Sequence, residues 1–346
     1  MTIRLLSASL ILLLASCSQP VPPLHSRTVL AFGTLIDISI AHPDNSSVEQ
    51  AMDALERDFN WMQEAWTSEG RNALRRVNLL FATGEWFSAA PSNKPLIKAA
   101  IPLARQSHQL FNPAIGKLIK LWNFDDGSLA DRQPPDPDLI DELTLSQPNM
   151  TDIEFNGILI RSLNPDLYLD FGAFGKGYGI DRAINKLKQM GFNNALINAG
   201  GDLRAIGQND NRPWRIGIRH PRQDGIIASL ETEGDESIFT SGDYERFYMY
   251  QGKRYHHIID PRTGYPARGS MSVTVIHTDA TTADAAATAL FIAGPKDWHR
   301  IARQMGIRYV MLIAEDGSIH MNPAMARRIT IANPATARII ISKPLN

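Results

Sequence analysis

Asp284 and Thr288 form the simplest pattern in the chain that could bind a metal ion. The two residues are four positions apart in an alanine-rich stretch, so a helix would place their oxygen atoms on the same side. Carboxylate and hydroxyl oxygens, completed by water, are suitable ligands for Mg²⁺ or Ca²⁺. The same spacing is also typical of an exposed acid beside a threonine that bonds to its own helix. The pattern alone therefore leaves a cation site and an ordinary helix surface open.

A candidate proton acceptor lies in the segment 256–269, HHIIDPRTGYPARG. His257 could act as a base near neutral pH, and in a regular strand His256 would face the opposite side. Arg262 could bind a phosphate group or form an ion pair with Asp260. A rigid hairpin held by that internal ion pair is the alternative interpretation. We therefore expect only one of the two histidines to serve a site.

The segment 170–183, DFGAFGKGYGIDRA, is predicted to be a glycine-rich turn that runs into a helix. Glycines at a helix entrance permit close approach of another backbone, and helix N-termini attract phosphate groups. The glycine spacing differs from the dinucleotide-binding fingerprint, and no Ser or Thr follows Lys176 as it would in a Walker loop. A nucleotide contact and a glycine turn packed against a helix are both compatible with this segment.

The elements that must position these residues alternate without a regular β-α-β rhythm. This favours a mixed α+β architecture, with mixed sheets and packed helices, over a doubly wound sheet. Either a strand pair or one long strand broken near Gly33 is predicted at 28–40, and short strands are predicted at 158–160 and 167–169. Apolar spacing predicts helices at 47–66, 94–110, 138–143, 282–291 and 295–305.

The N-terminus has the pattern of a bacterial lipoprotein signal. One positive charge precedes a short uncharged apolar run, and small residues precede Cys17. We expect residues 1–16 to be removed, and a lipid on Cys17 to anchor the protein on the periplasmic side of a bacterial membrane, inner or outer. Residues 17–27 would form a proline-containing tether and residues 28–346 the folded domain. An ordinary signal peptide with a chance cysteine is the alternative.

The charge balance argues against a nucleic-acid partner. The chain has 35 Lys and Arg against 36 Asp and Glu, and these charges form no basic run. Cys17 is the only cysteine, so an intramolecular disulfide is excluded. The hydrophobic core must therefore supply the stability of the fold.

Taken together, these segments resemble the ApbE-type FAD:protein FMN transferases, which are bacterial flavin-handling lipoproteins or exported enzymes. The resemblance extends over nearly all of the chain after the signal, and the order and spacing of so many segments argue against chance. The matching segments are FGT at 32–34, FNPAIGKLIKLWNF at 111–124, DFGAFGKGYGIDRA at 170–183, NAGGDLRAIG at 198–207, TSGDYERF at 240–247, HIIDPRTGYPA at 257–267 and ATTADAAATALFIAGP at 280–295.

The resemblance implies a T-fold-like α+β body that takes FAD as its substrate and Mg²⁺ as its cofactor. Members of the family move FMN from FAD onto a Thr or Ser hydroxyl of a target protein and release AMP. The acceptor is then expected to be a redox subunit or an exported flavoprotein with a short motif that contains this Thr or Ser.

The resemblance also implies roles for individual residues. Asp284, Thr288 and the backbone carbonyl of Ala173 are expected to bind Mg²⁺, and His257 is expected to be the catalytic residue. Contacts with the flavin nucleotide are expected from Phe32, Trp66, Leu110, Phe111, Asn112, Asp170, Lys176 and Ile259.

Three of these residues depart from the family pattern. FGT replaces the usual MGT at Phe32, Asn112 replaces a frequent aspartate, and Lys176 occupies a position that varies.

Two other functions stay open for the same residues. A Mg²⁺-dependent FAD pyrophosphatase would use water in place of the protein hydroxyl and give FMN and AMP. A lipoprotein that only binds flavin would use the pocket without any reaction.

Overall fold

A nine-stranded sheet lies at the centre of an α+β fold. The computed structural model describes residues 21–67, 70, 72–124 and 132–345, so the predicted signal 1–16 and Cys17 lie outside the described residues. The strands, numbered along the chain and given in their order across the sheet, are β1 (Leu24–Ala31), β2 (Thr34–Ala41), β6 (Ala195–Ala199), β7 (Asp202–Ile206), β10 (Glu236–Gly242), β13 (Ser270–His277), β14 (Tyr309–Ala314), β15 (Ile319–Met321) and β17 (Ile339–Ile341). Neighbouring strands are antiparallel except β15 and β17, which are parallel.

Three smaller sheets surround the central one. One has the strand order β16-β9-β8 and a second the order β3-β5-β4, while β11 and β12 form a hairpin. The bounds are β3 (Phe87–Ser88), β4 (Ile153–Asn156), β5 (Leu159–Ser162), β8 (Arg215–Arg219), β9 (Ile226–Glu231), β11 (Phe247–Tyr250), β12 (Lys253–His256) and β16 (Ile329–Ile331).

Eight α-helices occur among the described residues, and the two longest lie against the central sheet or beside its edge strands. Their bounds are α1 (Asn45–Trp66), α2 (Ala73–Phe81), α3 (Lys94–Gln106), α4 (Gly116–Trp122), α5 (Pro137–Leu145), α6 (Gly175–Gln189), α7 (Ala280–Gln304) and α8 (Pro323–Ala326). A short 3₁₀ turn spans Met150–Asp152. Together with the sheets, these helices confirm the predicted α+β class.

The central sheet is covered on both faces, which is why its middle strands carry apolar residues in succession. Successive side chains of a strand point to opposite faces. On β10, Phe239 packs in the core that contains the α6 and α7 side chains, whereas Ile238 packs with Ile216 and Leu230 of the small sheet β16-β9-β8. The sheet therefore separates a helical layer from a β layer.

Helices α6 and α7 form the helical layer nearest to the candidate site. The two helices pack on each other, and α7 also packs on β10, β13 and β14. Alanine and glycine dominate the buried faces, so the helix axes can approach closely. The N-terminal turns of both helices lie together, and this contact positions the glycine-rich segment against Asp284.

Several sequence predictions agree with the structure. The strand pair at 28–40 is confirmed as the hairpin β1–β2, and the helix at 47–66 is confirmed as α1. The predicted break between helices at 291 and 295 is a kink inside α7, where Gly294 has φ 69° and ψ −179° ahead of Pro295.

Three predictions differ from the structure. Helix α3 ends at Gln106 rather than at 110, because His108 and Gln109 adopt positive φ angles of 53° and 63°. The segment 167–169 is not a strand, since only Tyr168 forms an isolated bridge with Ile115. Strand β1 begins at Leu24, so the last four residues of the predicted tether belong to the sheet.

Candidate active site

The closest contact between α6 and α7 brings Gly177 against Asp284. The Gly177 backbone N–H donates to Oδ2 of Asp284 at 2.9 Å. A Cβ atom at position 177 would lie 2.3 Å from the Ala280 carbonyl oxygen, so only glycine permits this approach. Asp284 is 5% exposed. Burial raises the pKa of its carboxyl group to about 7, although the Lys176 ammonium and the Gly177 N–H oppose the shift.

The bond from Gly177 to Asp284 also leaves a backbone oxygen available. The Tyr178 N–H donates to the Phe174 carbonyl at the start of α6. The Gly177 N–H would extend this pattern to the Ala173 carbonyl, but it points to Asp284 instead. Within the described part of the chain, no backbone N–H donates to the Ala173 carbonyl. That oxygen is therefore a possible ligand for a cation, as the resemblance implies.

Thr288 lies one turn after Asp284 on α7, as the spacing predicts. Its Oγ1 atom is 3.3 Å from Oγ of Ser241 on β10, and both side chains are half-buried. Across residues 21–67, 70, 72–124 and 132–345, no group of three or more His, Cys, Asp or Glu side chains could hold a metal ion. One carboxylate with hydroxyl and carbonyl oxygens nevertheless fits Mg²⁺, which takes few protein ligands and completes its shell with water and phosphate oxygens.

Lys176 is a positive charge that acts on this oxygen group. Its Nζ atom lies 2.9 Å from Oδ2 of the buried Asp202, whose Oδ1 accepts the Thr240 N–H at 2.9 Å. Burial disfavours the Lys176 ammonium, but Asp202 and Asp284 outweigh that effect and raise the pKa of Lys176 above its ordinary value. Lys176 is therefore charged, and its predicted contact with the flavin nucleotide stays a prediction.

His257 is half-buried and is held through a main-chain carbonyl. Its Nδ1 atom lies 3.4 Å from the carbonyl oxygen of Arg246, and its backbone N–H donates to the same oxygen at 3.1 Å. Because a carbonyl only accepts, this contact requires the proton on Nδ1 and leaves Nε2 as the basic atom. Burial, followed by the charges of Arg246 and Lys176, lowers the pKa of His257 well below its usual value. The ring is therefore neutral at pH 7.

His256 faces the protein interior, which confirms that the two histidines point in opposite directions. It is 2% exposed. Its Nε2–H donates to the Ala267 carbonyl at 2.8 Å, and its Nδ1 accepts the Ile258 N–H at 3.3 Å. Burial lowers the pKa of His256 to about 4. Both ring nitrogens are used inside the fold, so His256 has a structural role.

The loop after His257 is held by an internal ion pair. Arg262 forms two parallel bonds with Asp260, from Nε to Oδ1 at 2.9 Å and from Nη2 to Oδ2 at 2.7 Å. Of the two possibilities for Arg262, the structure selects the ion pair over a free phosphate-binding guanidinium. Ile259 is 3% exposed and lies in an apolar cluster with Trp122 and Tyr248. Its side chain therefore anchors the loop in this buried cluster.

Phe32 and Trp66 lie together beside α6. Their rings are stacked, with centroids 5.9 Å apart and an interplanar angle of 1°. Phe32 occupies the β1–β2 turn with φ 54°, and its N–H donates to the Gln63 side chain at 2.7 Å. A Cβ atom at Gly179 would lie 2.9 Å from the Phe32 ring, so α6 carries no side chain where the ring packs. The structure thus brings these two predicted residues together.

The segment 110–112 lies under the start of α6 and is buried. Phe111 packs edge-on against Phe174, with ring centroids 5.3 Å apart, and Leu110 is 4% exposed. The Asn112 amide donates to the Pro148 carbonyl at 2.9 Å and accepts the Ala114 N–H at 3.0 Å. These side chains support the turn, and their predicted nucleotide contacts stay predictions.

Asp170 begins the glycine-rich turn. Its Oδ1 accepts the Gly172 N–H at 2.8 Å, which shapes the chain just ahead of Ala173. The side chain is half-buried, and its contact with the nucleotide also stays a prediction.

Three residues of the site were not singled out from the sequence. Asp202 pairs with Lys176, Ser241 contacts Thr288, and the main-chain carbonyl of Arg246 orients His257. Asp202 directly follows the turn formed by Gly200 and Gly201, and an acid after a glycine pair was the available signal. No pattern of side chains in the sequence could have identified the main-chain carbonyl of Arg246 as part of the site.

Several known proteins are similar to this chain over most of its length. The model of the ApbE family matches residues 32–311. The FAD:protein FMN transferase of Rhodobacter capsulatus is 37% identical over 312 residues, which is 90% of this chain and 59% of that protein. A protein of the same name from Vibrio cholerae is 30% identical over 319 residues, which is 90% of this chain and 94% of that protein. This chain therefore spans less than two thirds of the Rhodobacter relative and nearly all of the Vibrio one.

Solved structures show the same fold. The ApbE protein of Thermotoga maritima has a TM-score of 0.77 at 32% identity, covering 86% of this chain and 96% of its own. The flavin transferase ApbE of Vibrio cholerae has a TM-score of 0.78 at 26% identity, covering 89% of this chain and 100% of its own.

Proposed function

Because this chain belongs to the ApbE family, we propose that it transfers the FMN part of FAD to a Thr or Ser hydroxyl of an acceptor protein. In this reaction the hydroxyl oxygen bonds to the phosphorus on the FMN side of the diphosphate. The bond from that phosphorus to the bridging oxygen breaks, and AMP leaves. The products are a phosphodiester on the acceptor, AMP and the proton of the hydroxyl.

The observation that carries the proposal is that one positive charge, Lys176, acts on both the carboxyl group of Asp284 and the ring of His257. This shared influence supports the assignment of Asp284 and His257 to one site, although 27 positions separate them in sequence. A diphosphate bound there would lie close to both a cation and a proton acceptor, which phosphoryl transfer to a hydroxyl requires.

The proposed metal ligands are Asp284, Thr288 and the Ala173 carbonyl, with Mg²⁺ as the cofactor. Bound at these oxygens, Mg²⁺ would offset the negative charge of the diphosphate and of the departing AMP. Asp284 is held for this purpose by the Gly177 N–H, and Thr288 by Ser241. Lys176 adds a fixed positive charge, since Asp202 holds its ammonium group.

His257 is the proposed general base. The Arg246 carbonyl holds the proton on Nδ1, so Nε2 can accept the proton of the acceptor hydroxyl. The lowered pKa keeps the ring unprotonated at neutral pH. Phe32, Trp66 and Ile259, with the segment 110–112 and Asp170, are proposed to surround the flavin nucleotide. The support for these contacts is the family resemblance.

We also propose that a lipid on Cys17 anchors the enzyme on the periplasmic side of a bacterial membrane. This part rests on the sequence pattern at the N-terminus. No helix within the described ranges is both long enough and apolar enough to cross a bilayer.

Mass spectrometry tests the proposed reaction. The full chain, purified in detergent, is incubated with FAD, Mg²⁺ and an acceptor flavoprotein that carries a Thr or Ser motif. Transfer predicts an acceptor heavier by the mass of FMN minus one water, stoichiometric AMP, and loss of both when EDTA is added. AMP and free FMN without a labelled acceptor would indicate the pyrophosphatase. Bound FAD without any AMP would indicate a flavin carrier, and either result would contradict the transferase.

A further inference from the structure

Asp181 lies where α6 and α7 cross, and the reaction proposed above does not use it. Its carboxylate accepts the backbone N–H groups of Ala280 at 2.9 Å and Thr281 at 2.8 Å, and the Thr281 hydroxyl at 2.6 Å. It also accepts an N–H of Arg204 at 2.5 Å. Asp181 is 7% exposed. Three of its four hydrogen bonds are therefore directed at the first turn of another helix, and the fourth comes from Arg204 on β7.

These bonds make Asp181 a cap for α7. The first N–H groups of a helix have no partner within the helix, and carboxylates are well suited to accept them. Two carboxylates cap α7. Asp279 accepts the Thr282 N–H at 2.7 Å, and Asp181 accepts the N–H groups of Ala280 and Thr281. Asp279 belongs to the same chain segment as α7, but Asp181 belongs to α6. Of these two capping carboxylates, Asp181 is therefore the one that ties the start of α7 to a neighbouring helix.

Two connections between the helices are spaced by one helical turn. Gly177 and Asp181 are four residues apart on α6, and their partners Asp284 and Ala280 are four residues apart on α7. With a single polar contact to α6, the rotation of α7 would depend on its packing against β10, β13 and β14. Two contacts one turn apart restrain both the separation and the rotation of the helices. The rotation of α7 decides where the Asp284 and Thr288 oxygens point, because both lie on the same side of the helix.

From this geometry we infer that Asp181 is a positioning residue for the divalent-cation site. By capping α7 from α6, it holds α7 in the rotation that presents the oxygens of Asp284 and Thr288 together. The inference rests on the proposed function, because it assumes that these two residues bind the cation. It assigns Asp181 no contact with the cation, with FAD or with the acceptor.

Binding of Mn²⁺, measured from the electron paramagnetic resonance signal of the free ion, tests this inference without any catalysis. Mn²⁺ serves as the probe because it favours the same oxygen ligands as Mg²⁺. Asp181→Asn keeps the shape of the side chain but turns an amide N–H₂ towards the N–H donors of α7. We expect the Kd for Mn²⁺ to rise about tenfold, as for other groups that orient metal ligands without touching the metal. Thr281→Val removes one of the four bonds, and its Kd should rise about threefold.

Asp235 offers a matched control. It accepts from Nε and Nη2 of the same Arg204, at 2.8 Å and 2.9 Å, and pairs with Lys188, whereas Asp181 accepts from Nη1 of Arg204. Asp235→Asn should lower the melting temperature but leave the Kd for Mn²⁺ within about twofold of the wild type. Equal weakening by Asp235→Asn and Asp181→Asn would overturn the inference, because the effect would then come from the Arg204 network.

The remaining outcomes are equally decisive. A folded Asp181→Asn variant that binds Mn²⁺ like the wild type overturns the inference and leaves the proposed function intact. If Asp181→Asn does not fold, Thr281→Val decides, and an unchanged Kd overturns the inference. If the wild-type chain itself binds no Mn²⁺, the proposed metal site fails and the inference fails with it.

Discussion

Substitution of Gly177 by alanine should separate α6 from α7 and disable the site. The added methyl group would lie 2.3 Å from the Ala280 carbonyl oxygen and 2.9 Å from Cβ of Asp284. Both contacts are with rigid parts of α7, and a normal contact would need about 1 Å more. A displacement of that size would lengthen the 2.9 Å bond from Gly177 to Asp284 beyond hydrogen-bond range.

Two opposing terms set the size of the stability change. Alanine is favoured over glycine inside a helix by about 1 kcal/mol. Overpacking in a tight interior costs about 1–3 kcal/mol, and here it falls on backbone atoms that cannot change rotamer. Because the contact is with backbone, we place the cost at the upper end of that range and expect a net loss of about 2 kcal/mol in the free energy of unfolding. The effect on activity should be larger, about 100-fold, because a 1 Å misplacement of reacting groups has consequences of that order.

The control for this prediction is Gly175→Ala in the same helix. A methyl group at position 175 would meet only Cβ of Phe171, at an ordinary 3.7 Å. This variant should match or exceed the wild type in stability and retain its activity. Urea denaturation gives the free energy of unfolding, and chromatography of released AMP gives the rate. Wild-type stability and rate in Gly177→Ala would refute the reasoning, as would equal losses in both variants.

Three further predictions concern the ionisable groups. His257→Ala should bind FAD as the wild type does but transfer FMN about 10²–10⁴-fold more slowly, since it lacks only the base. Flavin fluorescence measures FAD binding, and labelling of the acceptor measures transfer. Loss of FAD binding would contradict the proposed role of His257. Asp284→Ala should lose activity together with its response to Mg²⁺, and activity that still depends on Mg²⁺ would contradict the assignment. The pKa of His256 is about 4 in the fold, below its ordinary 6.5, so its contribution to stability is complete above pH 6.5 and is lost as the pH falls towards 4. The loss should reach about 3 kcal/mol in urea denaturation, and His256→Gln, which cannot titrate, should lack this component.

The aromatic pair at the β1–β2 turn shows one consequence of the departure from the family pattern. With phenylalanine at position 32, the ring stacks on Trp66 at 5.9 Å and covers its face. Trp66 is 5% exposed, and its Nε1–H donates to the Ser92 carbonyl at 3.1 Å.

Features that depend on residues close in sequence could be predicted from the sequence itself. The four-residue spacing of Asp284 and Thr288 places both on the same side of α7, and the ion pair of Asp260 with Arg262 spans two positions. The opposite directions of His256 and His257 follow from strand geometry alone. The irregular alternation of strand-like and helical segments predicted the α+β class, and the family resemblance, which rests on the order of many such segments, implied the same class.

Tertiary structure alone decided which of these segments meet. Lys176 and Asp202 are 26 positions apart, and Asp181 is about 100 positions from the α7 residues that it caps. The tautomer of His257 depends on a carbonyl 11 positions earlier, on the far side of the β11–β12 hairpin. Local spacing specifies only the direction of a side chain within its own element. The partner that it meets depends on how two elements cross, and here the absence of a side chain at Gly177 permits that crossing.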